Sequence, residues 1–153
     1  MNQHDTTFLQ LAIAQARQGL SEGGIPIGAA LVTGDTVLGV GHNRRIQLGS
    51  PIRHGETDAL ENAGRQTAAT YRSSTMYTTL SPCDMCTGAI LLYDIPRVVI
   101  GENTTFLGGE AYLKSRGVDV IVADDKECIA LMTDFIIENP SLWNEDIGEE
   151  DNV

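Results

Sequence analysis

Residues 75–86 read Thr75-Met76-Tyr77-Thr78-Thr79-Leu80-Ser81-Pro82-Cys83-Asp84-Met85-Cys86. The first six are mostly β-branched, aromatic or apolar and predict a strand. Ser81 is a capping residue and Pro82 suits a first helical turn, so a helix is predicted to follow at once. Cys83 and Cys86, three apart at that helix start, can face one point. The partial positive charge of a helix N-terminus favours thiolates. Upstream, His54-Gly55-Glu56 opens a second predicted helix, supported by Ala59, Leu60 and Ala63 and closed by Gly64. One imidazole and two thiolates make three zinc ligands, and a catalytic zinc keeps its fourth position for water. Glu56, next but one to His54, is left free to carry protons.

Outward from these stretches the chain alternates. Phe8, Leu11, Ala12, Ala16 and Leu20 recur at helical spacing, with Asp5 or Thr6 as cap and the run from Gly19 to Gly24 as terminator. Residues 25–33 and 36–41 predict two strands joined by a turn at Gly34-Asp35, with a loop from His42 to Arg45. After the cysteines, Ala89, Ile90, Leu91 and Leu92 continue the helix until Ile95-Pro96 stops it. Residues 97–101 form a fourth strand, 111–116 a short helical turn and 118–123 a fifth strand. A helix is predicted over 126–138, with Cys128, Ala130, Leu131, Phe135 and Ile136 as its apolar side, and Pro140 ends it. Residues 141–148 carry Leu142, Trp143 and Ile147 and are expected to pack; 149–153 are an acidic tail expected to fray. The order predicts an α/β protein with a mixed sheet and helices on both faces, one domain spanning 1–153.

Composition narrows the function. Of 153 residues, 42% are hydrophobic, enough for one core. No apolar run approaches the roughly 20 residues of a membrane span. The segment Met1 to Gln10 lacks the basic and apolar regions of a signal peptide, so a cytoplasmic protein is expected. Three cysteines, two at C-x-x-C spacing, read as metal binding or redox chemistry rather than a disulfide framework. A thioredoxin-like pair is disfavoured by the upstream H-x-E and by a proline placed before the first cysteine. A net charge of −11 opposes nucleic-acid binding, which draws on Lys and Arg, and favours a small neutral substrate.

The bland alternative is a structural zinc, its fourth position filled by His4 or His42. Such a site has no use for Glu56. Cys128, on an apolar helical side, reads as core. H-x-E followed by P-C-x-x-C is instead the signature of zinc deaminases, in which zinc activates a water and the glutamate carries protons.

The chain resembles the small zinc-dependent cytosine deaminases of the fungal type, within the cytidine-deaminase-like superfamily. The resemblance rests on Glu22-Gly-Gly-Ile-Pro-Ile-Gly, Gly41-His-Asn-Arg-Arg, His54-Gly-Glu, Gly101-Glu-Asn and the stretch from Tyr77 to Ile90, and ends in Trp143-Asn-Glu-Asp-Ile-Gly-Glu. It implies an α/β/α sandwich around a five-stranded sheet, a homodimer, and one catalytic Zn²⁺ per subunit on His54, Cys83 and Cys86. The implied reaction is hydrolysis of cytosine to uracil and ammonia, in pyrimidine salvage, by zinc-bound hydroxide with Glu56 as proton shuttle. Substrate contacts are implied for Asn43, Asp146, and the backbone of Gly55, Leu80 and Ser81, with Ile27, Phe106, Trp143 and Ile147 as pocket walls and lid. Without the resemblance Asn43 reads as a turn residue and Asp146 as a solvated acid. The chain departs from the fungal pattern at Arg44-Arg45, at Ile46-Gln-Leu-Gly and at Leu107-Gly-Gly, which leaves isocytosine or another aminopyrimidine open as substrate. Rival readings are a guanine deaminase, a tRNA adenosine deaminase and, outside enzymology, a zinc-stabilised interaction module.

Overall fold

The computed structural model describes residues 1–149, so the expected tail beyond Glu149 lies outside the described residues. Helix α1 (Gln3–Ser21) leads into a hairpin of β1 (Gly28–Thr33) and β2 (Thr36–His42). Three helices follow, α2 (Arg45–Leu48), α3 (Gly55–Ala63) and α4 (Ala68–Arg72). Then come β3 (Ser74–Leu80), α5 (Asp84–Leu92), β4 (Arg97–Glu102), α6 (Glu110–Ser115) and β5 (Asp119–Val122). Helices α7 (Lys126–Glu138) and α8 (Pro140–Asp146) close the chain. The five strands form one mixed sheet in the order β2-β1-β3-β4-β5. The β1 strand runs antiparallel to β2 and β3; β3, β4 and β5 are parallel.

Strand alternation divides the core in two. On one face Ala29, Leu31, Met76, Val98 and Ile100 pack on Ala59 of α3, Ile90 of α5 and Leu113 of α6. On the other, Ala30, Val32, Tyr77 and Val99 meet Phe8, Leu9, Ala12 and Ile13 of α1 and Cys128 of α7. The buried stripe of α1 is centred on Leu9, Ile13 and Ala16, so Leu11 and Leu20 face water despite their spacing. On α7 the turn of phase is similar: Met132 is buried and Ala130 exposed. Two glycines set how closely α3 lies on the sheet. A Cβ on Gly39 would sit 2.5 Å from the Ala63 amide nitrogen, and one on Gly41 2.3 Å from that of Ala59.

Helix α1 begins earlier than its apolar pattern predicts. Asn2 caps it, and Asp5, expected as a cap, is the reciprocal partner in that capping box. Its carboxylate is fully buried and takes both guanidinium arms of Arg97, at 2.6 and 2.7 Å, and the Tyr77 hydroxyl at 2.9 Å. The Arg97 fork holds Asp5 well below its ordinary 3.8, against the cost of burial. Burial and the Asp5 carboxylate together push Tyr77 up to about 12. A depressed carboxylate pKa adds stability that is present above the unfolded value and lost as pH falls through the folded one. Asp5→Asn is therefore expected to cost about 3 kcal/mol at pH 7, since it removes the buried carboxylate that Arg97 forks onto and leaves only the exposed Asp119 beside the guanidinium. Urea midpoints measured from about pH 7 down to about pH 2 should show the deficit constant to about pH 4 and shrinking below it. A deficit constant over that whole range would refute the pairing.

Candidate active site

Strand β3 is the switch in the sheet, antiparallel to one neighbour and parallel to the other. Crevices at the carboxyl ends of strands beside such a switch are where open α/β sheets place their ligands. There the first turns of α3 and α5 meet. His54 is the N-cap of α3, and Cys83 is the N-cap of α5 with Cys86 one turn on. Helix α5 thus starts two residues later than Ser81-Pro82 predicts. The Ser81 hydroxyl is diverted to Glu110 Oε2, 2.6 Å away, and so does not cap α5.

His54 Nδ1 lies 3.4 Å from Cys83 Sγ, and the ligand atoms of His54, Cys83 and Cys86 all fall within 4.8 Å of one another. Tetrahedral zinc with bonds of about 2.1–2.3 Å asks for donor separations of about 3.4–3.8 Å. The protonation chemistry agrees. A hydrogen bond from Cys86, helped by His54 and resisted by burial, holds Cys83 well below the ordinary thiol range. Cys86, as the donor to Cys83 and itself buried, is pushed well above it. Two adjacent sulfurs share a proton because both cannot ionise side by side. A dication displaces that proton and takes both as thiolates. The donor set fits one zinc ion per chain. His4 turns to Gly34 and Asp35, and His42 to Gln15 and Glu22, so neither supplies a fourth ligand.

Glu56 follows His54 into α3 and is only 3% exposed. Thr78 Oγ1 donates to its Oε1 at 2.9 Å. Burial first, then the Cys83 thiolate, raises its pKa, with Cys86, His54 and Thr78 opposing. A carboxyl raised above its ordinary range can both take and return a proton.

Asp146, at the end of α8, is buried and not a solvated acid. Its Oδ1 accepts from Asn43 Nδ2 at 2.9 Å and stands 3.6 Å from His54 Nε2. His54 therefore shows Nδ1 to the cysteines and Nε2 to a carboxylate, as ligating histidines oriented from behind usually do. Burial raises the pKa of Asp146, and His54 and Asn43 oppose the rise. For His54 burial works downward, yet Cys83, Asp146 and Glu56 hold the imidazole above its usual value.

These groups line one pocket of about 280 Å³, open mouth included. Ile27, Leu80, Phe106, Trp143 and Ile147 form its apolar sides, and Phe106 and Trp143 meet edge to face with centroids 5.8 Å apart. Ser81 and Asp146 add polar lining. Cys86 lies fully buried, and Gly55 sits against the Ile27 carbonyl, where a Cβ would come to 3.3 Å. Asn43 reaches the site through Asp146. The Ser81 amide is already spent on the Glu102 carbonyl, and the Leu80 carbonyl accepts from Thr78. The Leu80 carbonyl keeps a second lone pair, and the Ser81 carbonyl follows it at this strand end.

Four supporting residues escape a reading of the sequence alone. Thr78 shares the alternate-residue face of Met76 and so points at α3; that parity was its available signal. Glu110 and Glu102, both buried, hold the loop that carries Phe106: Glu110 through Ser81 and Asn103, Glu102 through the amides of Thr104 and Thr105. Arg45, read as a loop residue, opens α2 and pairs with Glu145. Nothing local marks an acid or arginine for burial.

A mixed five-stranded sheet with helices on both faces, joined to a His, Cys, Cys cluster and a non-ligating glutamate, defines a zinc-dependent deaminase. The chain belongs to the cytidine and deoxycytidylate deaminase zinc-binding family, whose pattern matches residues 2–102. It is 60% identical over 146 residues to the cytosine deaminase of Candida albicans, covering 95% of this chain and 97% of that protein. It is 35% identical over 109 residues to a tRNA-specific adenosine deaminase of Streptococcus pyogenes, covering 70% of this chain and 68% of the other. A solved structure from studies of A-to-I editing by tRNA:A34 deaminases superposes with a TM-score of 0.71 at 26% identity, over 82% of this chain and 99% of the other.

Proposed function

We propose that the whole chain acts as one domain that hydrolyses cytosine to uracil and ammonia. The observation that carries this is Glu56: buried and hydrogen-bonded to Thr78, it stands beside three metal donors without being one of them. Identity of 60% to a cytosine deaminase over nearly the full length of both chains supports the choice of base.

His54, Cys83 and Cys86 would hold the zinc, which when bound supplies Lewis acidity for activating water at neutral pH. Glu56 receives a proton from the attacking water and passes it to ring N3. The same carboxyl then takes the remaining proton from the oxygen added at C4 and delivers it to the amino nitrogen. The carbon–oxygen bond at C4 forms, the C4–N bond breaks, and ammonia leaves with a carbonyl in its place. Leu80, Phe106 and Trp143 grip the ring faces and exclude bulk water, which strengthens every charge interaction inside. The Ser81 carbonyl and Asp146 accept from the amino group, and Asn43, with one N–H and one lone pair beyond its protein contacts, would meet the pyrimidine edge once the base is bound beside Asp146.

Trp143 and Ile147 wall the pocket on its α8 side, where a nucleoside would need space for its ribose. Ammonia release from cytosine is expected with kcat/KM at least about 10³-fold above that for cytidine, the discrimination that a clash with buried groups can give. Comparable turnover of cytidine would show that α8 does not cover N1. The net charge of −11 weighs against a tRNA substrate. Guanine and isocytosine belong in the same assay. A homodimer, implied by the resemblance, completes the proposal and is tested by sedimentation. No helix of the described residues is long and apolar enough to cross a membrane.

A further inference from the structure

Helix α8 supplies Trp143 and Asp146, and Ile147 follows it, so this short segment builds one side of the pocket. It packs on α7 through Trp143 against Met132 and Phe135. Its polar ties to the rest of the chain, among the described residues, run through Glu145 and Asp146 alone. Arg45 takes part at both. Its Nη1 donates to Glu145 Oε1 at 2.7 Å and its Nη2 to Glu145 Oε2, a two-pronged pair. The same Nη1 lies 3.4 Å from Asp146 Oδ1, and Nε donates to the Pro51 carbonyl at 3.1 Å. The Arg45 amide donates to Asn43 Oδ1 at 3.1 Å, while Asn43 in turn donates to Asp146. The side chain thus spends every nitrogen on two other segments, the Pro51 loop and the end of α8, while its own amide holds Asn43.

We propose that Arg45 is a positioning residue for the deamination: its guanidinium latches α8 over the pocket, and its amide sets the rotamer of Asn43. The proposal rests on the reading above that α8 covers the bound base. Exposure supports a working latch. The Arg45 side chain is 11% exposed and Glu145 42%, so the fork is sheltered on one side and wet on the other. A planar fork on a carboxylate is directional, and a lysine in its place offers only a point charge. Admission of a base through this side requires the Arg45–Glu145 pair to part. A weaker latch moves the closed–open equilibrium towards open, and apparent affinity falls with the closed fraction.

Trp143 is the chain's single tryptophan, 6% exposed in the closed arrangement, so its fluorescence reports the latch without any turnover. The experiment uses zinc-loaded full-length protein and compares wild type with Arg45→Met, Arg45→Lys, Glu145→Gln and the double variant Arg45→Met/Glu145→Gln. Acrylamide quenching of Trp143 without substrate is expected to rise about threefold or more in Arg45→Met, and KM for cytosine about tenfold with kcat within about threefold. Arg45→Lys should restore part of both. Glu145→Gln, at an exposed position that folding tolerates, should shift both in the same direction, and the double variant should exceed Arg45→Met by little, because both changes remove one interaction. Wild-type quenching in both single variants overturns the latch. So does full additivity in the double variant, or a fall in kcat with KM unmoved. Quenching needs no substrate, so the latch is judged even where the cytosine assay of the wild type fails, and that failure would count against the proposed reaction alone.

Discussion

Glu56→Gln is expected to lower kcat for cytosine by about 10⁴-fold, the upper range for loss of a positioned acid–base group. Zinc content should stay near one ion per chain, because the three donors are His54, Cys83 and Cys86 and the glutamate is not among them. The swap is close to isosteric. The amide oxygen still accepts from Thr78 Oγ1, which now donates 2.9 Å to the carboxylate. What disappears is the ability to take a proton and give it back. The fold should not suffer. Glu56 is buried, and the swap keeps its shape and its hydrogen bond from Thr78. The expected signature is thus catalytic collapse with an unchanged melting temperature and an unchanged metal assay. Activity within tenfold of wild type would remove Glu56 from the proton path. Loss of zinc together with activity would make it a ligand.

Much of this site was open to inspection as sequence, for a physical reason. Metal ligation by one histidine and two cysteines demands particular atoms at particular spacings, and Cys83 and Cys86 satisfy that demand locally. The strands were legible because Thr75 to Leu80 and Ala29 to Val32 are short runs of β-branched, aromatic and apolar residues. Helix α7 was found at its observed bounds, Lys126–Glu138, since Asp125 caps it and Pro140 lies beyond it. That proline also opens α8 at its first turn, a second use that a stop signal does not announce. Other features depend on distant partners and left no local trace. Asp5 looks like a cap until Arg97 arrives from 92 residues away. Ser81 looks like a cap until Glu110 claims it. His42 looked available to a metal, yet Gln15 and Glu22 occupy both ring nitrogens. Asn43 and Asp146 were singled out through the family likeness, not through their own chemistry; side by side at 2.9 Å, their pairing is a tertiary fact.

Stripping the metal should be the other large effect, and it should reach the fold as well as the reaction. Five ionisable groups crowd the crevice: His54, Glu56, Cys83, Cys86 and Asp146. In the protein alone their charges conflict, with Cys83 pushed down by its hydrogen bond from Cys86 and Cys86 pushed up as the donor. A dication resolves the conflict by making both sulfurs anionic ligands. Zinc held only by the folded chain adds stability by mass action, about 4 kcal/mol at a free concentration of about 1,000 times Kd. For a chain of this size that is about 8–16 °C in melting temperature. Chelation should therefore abolish ammonia release and lower the melting temperature by that order, and added zinc should restore both. Cys86→Ser provides the control. Cys86 is fully buried at the back of the site, and its replacement leaves the pocket walls in place while removing a soft donor. The variant should bind less than about a tenth of an ion per chain, show no turnover, and melt at one temperature with or without chelator. Calorimetry with parallel metal analysis reads all three. A wild-type melting temperature indifferent to chelator, in protein proven free of zinc, would mean that the ion contributes nothing to the folded state, and that the crowding of His54, Cys83 and Cys86 has some other cause.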